Sequence, residues 1–367
     1  MKYSLSIILF LIVLTTTQAQ QKSFIPVSNN DGWEVSETLN NIRSFQMLDS
    51  LLKAGKWGQI TSLVVAKDHK IIFEGYYNDA SISSKHNTRS ATKTITSVLI
   101  GCLIDDQLIK SEKEEALQFF DFKSTRNWDA RKSQIIIEDL LTMSSMLECD
   151  DWNQFSRGNE ERMYIVEDWI KFYWDLPIKG FPAWTEKPDE AKYGRSFSYC
   201  TAGAVVLGGI IEKASRSSLE KYAEERLFSA LGIKDYDWQY IPTGIPMTGG
   251  GLALRSRDLL KIAQLYQNMG KWKNERLVSQ NWIEKSTSAK TEINEGVEYG
   301  YLWWLEKFGG EAAYYMTGTG GNKVVIIPDL GLSVVITSTN FGLGMKAHQH
   351  TSTILNDYVV PQVKGLK

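Results

Sequence analysis

"TRSATKTITSVLIG", Thr88 to Gly101, is a mostly apolar run at helical spacing with a lysine near its start. A helix built for burial has no packing use for an ammonium group, because a charge taken out of water must be paired or neutralised. Lys93 follows Ser90 by three positions, so on a helix the two side chains share a face one turn apart. A serine at a helix start lies beside free backbone amides that favour negative charge. An amine kept in apolar surroundings releases its proton more readily and can therefore accept one from a neighbour. The pair reads as a nucleophile and its base. The alternative is a capping serine and a lysine that snorkels to solvent. Two other Ser-x-x-Lys pairs, Ser50 with Lys53 and Ser218 with Lys221, lie on amphipathic patterns where a polar surface face accounts for the lysine.

The periodicity around this run divides the chain into three stretches. Before it, a helical pattern over Leu39 to Leu52 precedes two strand patterns, "SLVVAKD" and "KIIFEGYY", joined by a tight turn at Asp68 and His69. From about residue 88 to 292 the pattern is mostly helical: "IEDLLTM", "MYIVEDWIKFYWDL", "AGAVVLGGIIEKAS" and "SRDLLKIAQLYQNMG". After it come strand patterns again, "YGYLWWLE", "AAYYMTG", "NKVVIIP" and "LSVVITSTN", and a short helix near Ala347 to Tyr358. Strands at both ends with helices between them predict a mixed α/β (α+β) fold. One antiparallel sheet built from both termini is flanked by helices and faces a mostly helical insertion, with the site in the cleft between.

With 43% hydrophobic residues in 367, the chain can bury a large core. Lys plus Arg (41) nearly balance Asp plus Glu (43) and no basic block occurs, which argues against a nucleic-acid partner. A small-molecule ester, amide or peptide is the expected ligand. Lys2, the apolar run Ile7 to Leu14 and small residues at Thr17 and Ala19 read as a signal peptide over residues 1–19, leaving residues 20–367 as a single unit. That run is too short to span a bilayer, so we expect an exported protein, periplasmic or extracellular, without a stable membrane span.

Of the three cysteines, Cys102 lies in the apolar helix. Cys149 and Cys200 lie in polar, loop-like surroundings where an oxidising compartment would allow them to pair. The sequence leaves that bridge open, since it does not give the Cα separation a disulfide demands.

Other chemistries lack their parts. No Gly-x-Ser-x-Gly elbow is present, and the four histidines, His69, His86, His348 and His350, do not make a conventional Ser-His-Asp hydrolase. There is no His-Glu-x-x-His or Cys-x-x-Cys, so neither a metal nor another cofactor is expected. The Gly-rich "TGGGL" and "TGTGGN" lack the Lys-Ser pair of a phosphate-binding loop.

Several segments, in order, resemble the serine β-lactamase and penicillin-binding-protein superfamily, particularly its class C β-lactamase-like and esterase branch. "RSATKT" resembles the nucleophile motif and "IIIEDLLTMSSMLECDDW" the Leu-Leu-Thr-Met-x-Ser-Gly-Leu segment. "FSYCTAGAVVLGGIIEKAS" is similar to the Tyr-x-Asn region, "TGGGLALRSRDLLKIAQLY" to the Gly-Gly-Leu-x-Ser-x-x-Asp-Leu region, and "YYMTGTGGNKVVIIPDLGLSVVITSTN" to the terminal strand pair.

The resemblance implies a β-lactamase/transpeptidase-like fold, with Ser90 as the acylated nucleophile and Lys93 as its first proton partner. It makes Tyr199 the second-motif tyrosine, a general base that later protonates the leaving group. A phenol is a poor base at neutral pH unless a close ammonium helps it. The backbone N–H groups of Ser90 and Thr319 would form the oxyanion hole, with Thr201, Thr317 and Gly318 against the substrate.

Two positions depart from the pattern. Thr201 stands where asparagine is usual, and Met316 where β-lactamases carry the lysine of Lys-Thr-Gly. Methionine offers no charge to a substrate carboxylate, although an arginine elsewhere, such as Arg255, could supply one. The implied activity is an acyl-enzyme serine hydrolase, a carboxylesterase or amide hydrolase. The alternatives are a true β-lactamase or D-alanyl-D-alanine peptidase, and a non-catalytic binding or sensor protein. Trp152, Trp303 and Trp304 are candidates for an apolar wall of the cleft or for core. The acids Asp150, Asp151, Glu160 and Glu161 read as a solvated loop, the other reading being a cationic-group site.

Overall fold

The strand patterns at the two ends of the chain meet in one sheet. The computed structural model describes residues 24–36, 42–121, 125–181 and 187–366, so the expected signal peptide lies outside the described residues. Nine strands follow the order Glu34–Val35, Lys70–Tyr76, Ile60–Lys67, Leu332–Ser338, Asn322–Ile327, Glu311–Gly318, Trp304–Phe308, Val297–Tyr299 and Thr291–Asn294. All neighbours run antiparallel except the first pair. Leu332–Ser338 joins the two ends of the chain, with Val335 opposite Val64. Asp68 and His69, at φ 47° and 70°, close the N-terminal hairpin as a two-residue turn.

The central strands are buried on both faces, which is why they read as near-continuous apolar runs. Val64, Val324 and Val335 pack toward the helical insertion. Leu63, Val325 and Val334 pack on the other side, against the helix Ile42–Lys53 and a C-terminal helical stretch that runs from Met345 to Lys364, longer than expected.

The insertion carries the helices Thr92–Asp105, Ile137–Leu141, Trp169–Asp175, Thr201–Ser215 and Ser256–Gln267. Three further features differ from the sequence reading. "MYIVEDWIKFYWDL" is not one helix: Glu160–Met163 ends early, and a new helix begins where the Asp168 side chain accepts from the Lys171 N–H at 2.8 Å. "YGYLWWLE" is broken at Gly300 to Trp303, where Leu302 takes φ 61° and a Cβ on Gly300 would stand 2.2 Å from the Ser286 carbonyl. A small sheet of Lys85–Asn87, Leu252–Arg255 and Asp237–Trp238 was not foreseen, its strands being too short to show a period. It ties the lead-in to Ser90 to the far end of the insertion.

Candidate active site

Ser90 sits in a single 3-10 turn, Arg89–Ala91, that runs straight into the helix Thr92–Asp105. Arg89 enters it at φ 55°, a left-handed conformation that is strained for a side-chain-bearing residue, with its N–H held by Asn87 Oδ1 at 2.9 Å. Ser90 stays half-buried while Lys93 is 1% exposed. Lys93 does not snorkel. Its Nζ donates to Ser90 Oγ at 2.9 Å and to the Gly249 carbonyl. The glycine run makes that second bond reachable, because a Cβ on Gly249 would fall 2.6 Å from Thr201 Cγ2.

Tyr199 borders the same lysine. Lys93 Nζ lies 5.1 Å from the centre of the phenol ring, which is 9% exposed as a residue. Trp152 stacks on that ring, and Trp304 tilts against it at 6.1 Å. The three tryptophans therefore divide: Trp152 and Trp304 flank Tyr199, whereas Trp303 is fully buried core, 4.4 Å from the Tyr266 ring.

Cys149 and Cys200 are bonded, with their Cα atoms 5.4 Å apart. Cys200 also starts the helix Thr201–Ser215, its sulfur accepting from the Gly203 N–H at 3.3 Å. Thr201 is fully buried and its N–H donates to Asp151 Oδ2 at 2.7 Å.

The strand Glu311–Gly318 closes the other side. A Cβ on Gly318 would lie 1.9 Å from the Thr88 carbonyl and 2.9 Å from the Ser90 nitrogen, so only glycine lets this strand end reach Ser90. Ser90 and Thr319 line one cleft of about 740 Å³ together with Arg89, Glu160, Glu161 and Tyr164. Met316 is buried in the core. The Thr317 hydroxyl donates to the Asn322 carbonyl at 2.9 Å and lies 3.3 Å from His348 Nδ1. Arg255 is bonded through Nε to Asp258 at 2.7 Å and is not among the lining residues, while Arg89 is. Burial pushes the His86 and His348 imidazoles down to about 4, with Lys323 adding to the effect at His348. Among the described residues no His, Cys, Asp or Glu cluster of three is placed to hold a metal ion.

A model of the Beta-lactamase family matches residues 54–356. The chain belongs to the Beta-lactamase family. Members of this family are serine hydrolases. Solved structures share the fold at low identity. "Putative 6-aminohexanoate-dimer hydrolase from Bacillus anthracis" is 17% identical over 93% of this chain and 87% of that one, at a TM-score of 0.69. "EstCE1, a hydrolase with promiscuous acyltransferase activity" is 13% identical over 85% and 98%, at 0.64. A D-stereospecific amidohydrolase from Streptomyces sp. is 15% identical over 84% and 98%, at 0.61. No curated protein sequence matches.

Within this Beta-lactamase family chain, the acids of the 150–161 segment are not a uniformly solvated loop. Asp151 Oδ1 accepts from the Glu160 N–H at 2.9 Å, and Oδ2 from Thr201. Burial, reinforced by the Glu160 charge, pushes the Asp151 carboxyl up to about 6, against the opposing pull of Lys93. Glu160 and Glu161 face the cleft, and neither has a cationic partner among the described residues. The signal that could have drawn attention to Asp151 is its place two residues after Cys149 and its Asp-Asp neighbour, but nothing local gives its contact with Thr201, 50 positions away.

Proposed function

We propose that this Beta-lactamase family member is an exported serine hydrolase that cleaves an ester or amide of a small molecule through an acyl-enzyme on Ser90. The observation that carries the reading is a fully buried lysine whose ammonium donates to the Ser90 hydroxyl. In this reading Ser90 Oγ attacks the substrate carbonyl carbon, and its proton passes to the Lys93 and Tyr199 pair. The N–H groups of Ser90 and Thr319 hold the oxyanion of the tetrahedral intermediate. Tyr199 returns a proton to the leaving alcohol or amine. Water then attacks the acyl ester and the same groups work in reverse.

The substrate class follows from charge. Met316 offers no cation to an adjacent carboxylate, Arg255 is bonded to Asp258, and two glutamates face the cleft against one arginine, Arg89. A neutral or amine-bearing ester or amide fits better than a penicillin or a peptide C-terminus. The hydrolase and amidohydrolase names of the structural neighbours agree with ester or amide cleavage. Residues 1–19 would be removed on export and residues 20–367 would act as one catalytic unit, to the periplasm or beyond.

The test is intact-protein mass spectrometry after a fluorophosphonate and, separately, a penicillin, with Ser90→Ala and Lys93→Ala as controls. We expect a fluorophosphonate adduct on Ser90 that both variants lose, and none from penicillin. Rapid penicillin trapping would favour a β-lactamase or D-alanyl-D-alanine peptidase. No adduct from either would favour a binding protein.

A further inference from the structure

One carboxylate in the disulfide loop is held more tightly than a loop needs. Over three residues, 149 to 151, Cys149 is bonded to Cys200, Ser198 Oγ donates to the Cys149 carbonyl at 2.6 Å, and the Asp151 N–H donates to the Tyr199 carbonyl at 2.8 Å. Those ties already lay the loop along Tyr199. Asp151 adds a partly buried charge, which is a poor choice for packing alone because desolvating a carboxylate is costly.

At the other end of the same contact chain, no anion among the described residues is bonded to Lys93. Lys93 Nζ is met by the Ser90 hydroxyl, the Gly249 carbonyl and the Tyr199 ring, all neutral. Thr201 bridges the two ends: its N–H bonds Asp151 Oδ2, and its methyl packs on Gly249. We infer that Asp151 is a positioning residue that supplies the counter-charge of the Lys93 ammonium, holding it against the Ser90 hydroxyl and the Tyr199 ring. This rests on the reading of Ser90 as nucleophile.

The titratable groups facing Asp151 are Lys93 from the Ser90 helix, Glu160 and Tyr164 from the neighbouring turn, and Tyr199 from the segment it lies along. Glu160 raises the carboxyl and Lys93 lowers it. The counter-charge is present above the Asp151 titration and is lost as pH falls through about 6.

Two measurements test this. In the first, the Asp151 carboxyl is titrated by carbon-13 NMR, its signal identified by loss in Asp151→Asn, in the native protein and in Lys93→Met. We expect the midpoint to move up when the ammonium is removed. An unchanged midpoint would overturn the coupling whether or not Ser90 reacts. In the second, the rate of fluorophosphonate attachment to Ser90 is followed across the pH range. Asp151→Asn should label about tenfold more slowly near neutral pH and lose the acid inflection. A native rate, or a slower rate with the inflection intact, would reduce Asp151 to a structural role. A native protein that never labels counts against the Ser90 reading, and the NMR arm still decides this one.

Discussion

The Trp152 indole lies parallel to the Tyr199 ring, with 4° between the planes and 5.6 Å between centroids. Trp152 is 61% exposed, so this stack, with ring contacts to Phe197 and Trp304, holds the indole at the edge of the site. An aromatic pair contributes about 0.5–1.5 kcal/mol beyond area burial. Trp152→Ala is expected to slow Ser90 labelling about three- to tenfold by loosening Tyr199, with little change in thermal midpoint. Trp152→Phe restores most of the rate. Labelling kinetics beside thermal melts separate this from general destabilisation.

Tyr199→Phe keeps the stacked ring and removes the hydroxyl. The acylation rate is expected to fall about 10²- to 10⁴-fold, the range for loss of a general acid-base group, while the melting curve stays near the native one. A rate within twofold of native would assign the proton transfers to Lys93 alone.

Gly318→Ala drives a methyl into the Thr88 carbonyl and against the Ser90 nitrogen. The strand end must retreat, carrying Thr319 away from Ser90. Loss of one oxyanion donor costs about 10²- to 10³-fold in rate. Labelling of Ser90 and a denaturant melt would register both the rate loss and the lower stability.

The Cys149–Cys200 bond spans 51 positions and so restricts a long loop of the unfolded chain. Replacing both cysteines by serine should lower stability by about 2–4 kcal/mol. Urea melts of the variant and of the oxidised native protein give the difference.

Lys323 is 3% exposed, its Nζ 5.0 Å from the centre of the Tyr315 ring, and burial pushes it down to about 8 from 10.5. Its folded value lies below its unfolded one, so the charge destabilises the fold at neutral pH and the penalty fades as pH rises from 8 toward 10.5. Lys323→Met is expected to gain up to about 3 kcal/mol at neutral pH, with the gap narrowing in alkali. Urea melts at both ends of that range test the sign.

The Ser90 and Lys93 pair was legible because three positions on a helix is a local relationship, carried by the backbone period alone. The hairpin at Asp68 and His69 and the apolar strands around Val325 and Val335 were legible for the same reason. The break at Leu302 and the early end of the helix at Met163 were not, because close packing and side-chain capping override a continuous apolar pattern.

By itself the sequence determined the layout of strands at both ends around a helical middle, and the presence of one lysine that packing would not choose. Only the tertiary structure decided what that lysine meets. The Gly249 carbonyl lies 156 positions from Lys93, Thr201 lies 50 from Asp151, and Gly318 reaches Ser90 from the far end of the chain. Such contacts depend on how sheet and insertion close on each other, and no local period encodes that closure.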